Sequence, residues 1–253
     1  MMKYTKHFSS VVLGTALWAS CSPQGNDFLV IGHRGAMGHV LENTLASIDT
    51  ALSLGVDMIE IDVYRIASGQ LVVFHDDTLG RLSVYRDSIE HLTIEALDTI
   101  RLHDGHAIPT LAQVIDRIQG RVPLNIELKG AGTAAPTYAL IQELTPQQNS
   151  QSSPYLISSF RWDELEIMRS LDAELPIAVL TEDDPLLALD MAHKLRAQAI
   201  NPYYKNVDAS VVDALHQAGF QVFPWTVNEP EDLEAMKAAG VDGLFTNFPE
   251  RLR

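Results

Sequence analysis

Residues 57–63 read DMIEIDV, and the placing of their two acids decides what kind of sheet this chain builds. In an extended strand successive side chains point to opposite faces, so Met58, Glu60 and Asp62 share one face while Ile59, Ile61 and Val63 share the other. Apolar runs precede and follow the segment, FLVIG at 28–32 and LVVF at 71–74, as expected of a buried sheet. Two ionised carboxylates on one face of such a sheet repel each other and are costly to desolvate unless a cation lies between them. The strand therefore needs an apolar partner layer on one side and a positive group on the other.

Working outward, strand-like runs recur at 28–32, 57–63, 123–129 (PLNIELK), 155–160 (YLISSF), 176–181 (PIAVLT), 197–204 (AQAINPYY), 220–227 (FQVFPWTV) and 242–247 (DGLFTN). Between them lie helical patterns such as 43–55, 110–120, 161–172, 208–219 and 231–240, several of which end on glycine as a helix C-cap often does. Strands alternating with helices over 253 residues predict an α/β fold of the (β/α)8 TIM-barrel type. A doubly wound open sheet is the other candidate, but no G-x-G-x-x-G opens a helix after the first strand. The stretch from Gly69 to Pro109 is longer than an ordinary strand-to-helix link, and QLVVFHDD within it predicts an extra hairpin strand after strand 2. The chain stops at PERLR just after the eighth strand, which leaves only a vestigial last helix.

The first residues have Lys3 and Lys6, no acid, a short apolar run from Val11 to Ala19, and then Cys21, the only cysteine. The run is too short to cross a bilayer as a helix and reads as a secretory signal over 1–21. A cysteine directly after such a run resembles the bacterial lipoprotein pattern, with Cys21 lipidated, although Trp18 stands where that pattern usually has Leu. The expected location is then outside the cytoplasm, in the periplasm or cell envelope, with the membrane reached only through that anchor. A net charge of −15 argues against nucleic acid and against adhesion to anionic lipid. An anionic substrate would need a local positive site.

In a barrel of this kind the chemistry sits at the C-terminal ends of the strands. Those ends collect His33 and Arg34, Glu60 and Asp62, Glu127 and Lys129, with Phe160, Asn201 and Trp225 further round. The pairs 60/62 and 127/129 have i, i+2 spacing, so each pair faces one way. Glu60, Asp62 and Glu127 make an all-oxygen cluster suited to Mg2+ or Ca2+. For any one of these acids an ion pair with Arg34 or Lys129 is a sufficient account; three acids converging with two histidines favour a metal. His33 and His75 each follow an apolar strand and can exchange a proton near neutral pH. Arg34 and Lys129 supply the positive charge a phosphate needs. Phe160 and Trp225 read either as apolar walls of the site or as core, and His103 and His106 as a solvated loop.

GHRG (32–35), ENTLASIDTALSLGVDMIEIDV (42–63), LVVFHDDTLGR (71–81), IPTLAQVI (108–115), LNIELK (124–129), ISSF (157–160), QVFPWTVN (221–228) and GVDGLFTNFP (240–249) follow one another as in the glycerophosphodiester phosphodiesterase family, which the chain resembles over residues 28–251. The resemblance implies a metal-dependent barrel enzyme that hydrolyses deacylated phospholipids to sn-glycerol 3-phosphate and an alcohol. It implies metal ligands at Glu60, Asp62 and Glu127, acid and base at His33 and His75, phosphate contacts at Arg34 and Lys129, and Trp225 lining the site. Either water or the substrate's own glycerol hydroxyl would be the nucleophile. Two departures stand out: RIASGQ (65–70) where the family usually has a Thr and an Asp-Gly, and TNFP (246–249) where it usually has Thr-Asp. Neither is expected to touch the metal ligands or the histidines. Asn43 is expected to cap the following helix and Glu42 to stand behind the ligands. The rival readings are a lysophospholipase D-like phosphodiesterase on the same scaffold and a non-catalytic lipoprotein that binds glycerophosphodiesters.

Overall fold

The computed structural model describes residues 28–145 and 153–253; the signal reading of 1–21 and Cys21 lie outside them. The elements in chain order are β1 (Leu29–Gly32), α1 (Leu45–Ser53), β2 (Met58–Arg65), β3 (Leu71–Val73), α2 (Ile94–Thr99), α3 (Leu111–Ile118), β4 (Leu124–Leu128), α4 (Ala134–Leu144), β5 (Tyr155–Ser159), α5 (Trp162–Leu171), β6 (Ile177–Thr181), α6 (Leu189–Leu195), β7 (Ala199–Pro202), α7 (Ala209–Gln217), β8 (Gln221–Val222), α8 (Pro230–Ala239) and β9 (Gly243–Thr246). A single 3-10 turn, Pro249–Leu252, stands where a last helix would be.

Eight of these strands pair in parallel in the order β8-β7-β6-β5-β4-β2-β1-β9. The two ends of that path meet through backbone hydrogen bonds from Asp242 N to Val222 O (3.1 Å), Phe245 N to Pro224 O (3.0 Å) and Val227 N to Phe245 O (2.8 Å). The result is the nearly closed barrel expected from the alternation of strands and helices.

β2 shows why the alternation must be as it is. Ile59, Ile61 and Val63 are fully buried in the layer between sheet and helices, each worth roughly 1.5–3 kcal/mol of apolar burial. Met58, on the opposite face, joins Ile31, Leu156, Ala178, Ala199, Phe223 and Phe245 in the plug inside the barrel. Glu60 and Asp62 continue that inward face above the plug. A one-residue slip in register would drive both acids into the helix layer, so the apolar face fixes where the acids point.

The long excursion after β2 folds back as anticipated. β3 pairs antiparallel with the end of β2, Val63 opposite Val73 and Arg65 opposite Leu71, and Phe74 N donates to Asp62 O at 3.0 Å. That bond brings His75 to the barrel mouth. The excursion is held by its own apolar cluster, including Phe74, Leu79, Ile89, Leu97 and Leu102.

The helix cap after β1 differs from expectation. Thr44, not Asn43, caps α1: Thr44 Oγ1 accepts from Ser47 N at 3.1 Å and Ser47 Oγ from Thr44 N at 3.2 Å. Asn43 has φ +55°, a left-handed conformation that asparagine tolerates better than most residues, and its side chain is turned to the site instead.

Candidate active site

The carboxylates of Glu60, Asp62 and Glu127 converge at the C-terminal ends of β2 and β4, where Asp62 and Glu127 are register partners. One oxygen from each lies within 4.8 Å of the others. Glu60 and Asp62 are 2% and 1% exposed. Burial, followed by the charges of Asp62 and Glu127, raises the Glu60 pKa well above its ordinary value. Burial and Asp62 likewise lift Glu127 to about 7, against the pull of Lys129. Three acids so placed resist simultaneous ionisation unless a cation joins them. Glu60 Oε1 is buried with no hydrogen-bond partner among the described residues. An all-oxygen set of this kind with one free buried oxygen fits a hard divalent cation.

The chain's own cations meet only part of this charge. Arg34 places Nη1 2.7 Å from Glu42 Oε1 and Nε 3.3 Å from Asp62 Oδ2. Lys129 Nζ lies 2.9 Å from Glu127 Oε1 and 3.8 Å from Asp62 Oδ1. Burial alone would lower the Lys129 pKa, but Glu127 and Asp62 outweigh it and the net shift is upward. Both cations therefore stay charged at the mouth. The ion-pair reading and the metal reading are thus both present: the pairs are made, and Glu60 still has an unmet oxygen.

Arg34 is held by its backbone. Its φ is +51°, a conformation that costs a non-glycine residue about 1 kcal/mol. Three bonds hold it there: Arg34 N donates to Glu60 Oε2 (2.8 Å), and Arg34 O accepts from Asn43 N (3.1 Å) and Ser47 Oγ (2.9 Å). Gly35 follows at φ +84°, where a Cβ would come within 2.5 Å of Ser47 Oγ. Asn43 Nδ2 donates to Asp62 Oδ2 at 2.8 Å, and Asp62 N donates to Asn43 Oδ1 at 3.3 Å. Asn43 therefore orients an acid of the cluster. Glu42 is buried behind it, gripped by Arg34 and by both terminal nitrogens of Arg81 at 2.8 and 2.7 Å. It stands behind the ligands as expected, outside the cluster.

The two histidines are oriented by different partners. His33 Nδ1 lies 2.7 Å from Asn247 Oδ1. An amide oxygen only accepts, so the ring proton sits on Nδ1 and the lone pair on Nε2. Burial, aided by the charge of Arg34, lowers the His33 pKa to about 4. His75 Nδ1 lies 2.7 Å from Asp76 Oδ1, and its Nε2 lies 3.2 Å from Lys129 Nζ. Burial is also the largest cause lowering the His75 pKa, while Asp62 and the bond to Asp76 pull the other way. Arg81 Nε donates to Asp76 Oδ2 at 2.6 Å, so one guanidinium ties the partner of His75 to the partner of Arg34.

The contact with Asn247 overturns the expectation that the TNFP departure stays clear of the histidines. The sequence also passed over Asp76 and Arg81. Asp76 adjoins His75 and could have been found from the HDD run; Asn247 is 214 residues from His33 and had no local signal.

Phe160 and Trp225 form an edge-to-face pair with ring centroids 5.3 Å apart. Both line the same cleft of about 100 Å3 as His33, Arg34, His75 and Lys129. They are walls of the site. His103 and His106 lie in the excursion, away from the carboxylates, and form no part of the acidic cluster.

Comparison with known proteins agrees with this geometry. The model of the glycerophosphoryl diester phosphodiesterase family matches residues 33–251. A glycerophosphodiester phosphodiesterase of Caldanaerobacter subterraneus subsp. tengcongensis is 33% identical over 234 residues, covering 88% of this chain and 96% of that protein. An Oleispira antarctica phosphodiesterase solved in complex with the product sn-glycerol-3-phosphate superposes with a TM-score of 0.81 at 29% identity, over 88% of this chain and 94% of that one. A glycerophosphodiester phosphodiesterase from Thermotoga maritima gives a TM-score of 0.75 at 26% identity, over 91% and 100% of the two chains.

Proposed function

The chain belongs to the glycerophosphoryl diester phosphodiesterase family, and from that premise we propose that it hydrolyses glycerophosphodiesters to sn-glycerol 3-phosphate and an alcohol. The observation that carries this is one cleft in which three carboxylates, two fixed cations and two differently partnered histidines converge.

Glu60, Asp62 and Glu127 would hold one divalent metal, Mg2+ or Ca2+. When bound, it supplies Lewis-acid polarisation of a phosphoryl oxygen. Arg34 and Lys129 hold the phosphoryl oxygens and offset the charge that builds on them in the transition state. His33, neutral with its lone pair on Nε2, takes the proton of the nucleophile, either water or the substrate's own glycerol hydroxyl. His75, held by Asp76 on Nδ1, is placed to give a proton to the leaving alcohol; that role needs the proton on Nε2, so Lys129 Nζ, 3.2 Å from that atom, has to turn from His75 to the phosphoryl oxygens when substrate binds. Phe160 and Trp225 exclude water and bound the organic arms.

Residues 22–253, stripped with EDTA and assayed on glycerophosphocholine, should release glycerol 3-phosphate only after Mg2+ or Ca2+ is restored. Release that survives EDTA would refute the metal; no release from any of several headgroups would refute the hydrolase and favour a binding protein.

For the N-terminus, the support is the sequence pattern: two lysines, an apolar run and Cys21. Export across the membrane with lipidation at Cys21 would place the barrel on the envelope by an anchor. Fractionation of cells is expected to show the full chain in the membrane pellet and Cys21→Ser in the soluble extracytoplasmic fraction. Equal partition of the two would exclude the anchor.

A further inference from the structure

The cleft has two halves of unlike character. Its charged half is built on β1 to β4. Its other half carries neutral polar side chains whose hydrogen-bonding groups are unused. Asn125 on β4 and Ser158 on β5 line the cleft, and Asn201 on β7 is the register partner of Leu180, another lining residue. All three are buried, at 1%, 0% and 0% exposure. All three share the inward face: Ser158 and Asn201 follow the plug residues Leu156 and Ala199 by two positions, and Asn125 is the partner of Glu60.

Asn125 Oδ1, Ser158 Oγ and both polar atoms of the Asn201 amide have no hydrogen-bond partner among the described residues. Buried polar atoms are almost always paired, because leaving one unmade forfeits its hydration with nothing in return. Four such atoms on the inward face, two on residues that line the cleft and two on a register partner of a lining residue, are therefore a feature to be explained. The acids and the proton relay do not use them. They are neutral, and between them they can both donate and accept, which suits alcohol hydroxyls and gives an anion little. Beside them stand Phe160 and Trp225, apolar faces suited to the carbon skeleton that carries such hydroxyls.

We propose that Asn125, Ser158 and Asn201 form a hydrogen-bonding floor that receives the free hydroxyls of the substrate's glycerol arm and so sets the preference for a deacylated, polyol-bearing phosphodiester. This rests on the hydrolase reading for the identity of the arm. A site built to bond a hydroxyl discriminates strongly against an analogue lacking it, since the buried partners are then stranded.

The test compares binding of two small phosphates to the Mg2+-loaded protein by calorimetry: glycerol 3-phosphate, and propyl phosphate, which has the same charge and chain but no hydroxyl. The unmodified protein is expected to bind glycerol 3-phosphate at least about tenfold more tightly. Ser158→Ala and Asn201→Leu are each expected to narrow that preference by roughly tenfold. Neither should lower the thermal midpoint, because each removes atoms that have no internal partner. Equal affinity for the two phosphates, a preference unchanged in both variants, or a loss of thermal stability in both would each overturn the floor. The readout is binding, so failure here is separate from failure of the hydrolysis assay.

Discussion

Glu60→Gln is expected to abolish metal-dependent hydrolysis, lowering kcat/KM by at least about a thousandfold, or about 4 kcal/mol of transition-state stabilisation. The reason is local. Glu60 has one oxygen bound to Arg34 N and the other free, and the free oxygen is the one a metal would take. The amide keeps the shape and loses the charge.

The same substitution carries a second signature that a simple structural defect would not produce. In the metal-free protein the pKa values of Glu60 and Glu127 lie above the ordinary carboxylate range. The folded state then binds more protons than the unfolded chain between that range and about pH 7. Stability from these groups is present at low pH and is lost as pH rises through their folded values. As pH rises past about 7, where Glu127 loses its proton, repulsion among the acids of the metal-free wild-type protein mounts, and Glu60→Gln relieves part of it. The variant should therefore melt at a higher temperature than wild type in EDTA and show little further rise on adding Mg2+. Wild type should gain stability with Mg2+ as any folded-state ligand dictates. Retention of both Mg2+ stabilisation and activity by Glu60→Gln would refute the assignment of the cluster.

His33→Ala and His75→Ala are each expected to lower kcat by about 10^2- to 10^4-fold, the usual contribution of a positioned acid or base. Their pH profiles should differ, because their partners do. His33 has an amide on Nδ1 and a pKa of about 4, so it is a competent base across the neutral range. The acidic limb of kcat/KM should lie well below the ordinary histidine value. Asn247→Asp would place a carboxylate on Nδ1, stabilise the imidazolium and move that limb towards neutral pH. In the unfolded chain the ring titrates near its ordinary value. The stability that His33 contributes should accordingly be lost as pH drops from about 6.5 towards 4, opposite in sign to the contribution of Glu60 and Glu127, so it is read as the difference between the native protein and Asn247→Asp, in which the loss is smaller. An acidic limb that does not move in Asn247→Asp would remove His33 from the role of base.

Much of this site was legible in the chain. The alternation in DMIEIDV put two acids on the inward face, and the same period in NIELK put Glu127 and Lys129 beside them. Strand ends are where a parallel barrel gathers its side chains, so the eight runs told which residues would meet. His75 was readable because the strand before it is apolar and had to return to the sheet.

What the sequence by itself determined, then, was the barrel, from the alternation of strand and helix periods; the inward acids and Lys129, from a period of two along one strand; and Arg34 and the two histidines, from their place just after apolar strands. Partnership between elements was decided only by the tertiary structure. Asn43 looked like a helix cap and is a clamp on Asp62, since Thr44 could cap and only Asn43 reached the acid. Asn247 looked remote from the histidines and orients one of them, because β1 and β9 are neighbours in space at opposite ends of the chain. Arg81 joins Glu42 to Asp76 across the excursion, and the unpaired Asn125 oxygen and Asn201 amide lie three strands apart in sequence order. No local pattern encodes such contacts; closure of the barrel brings them together.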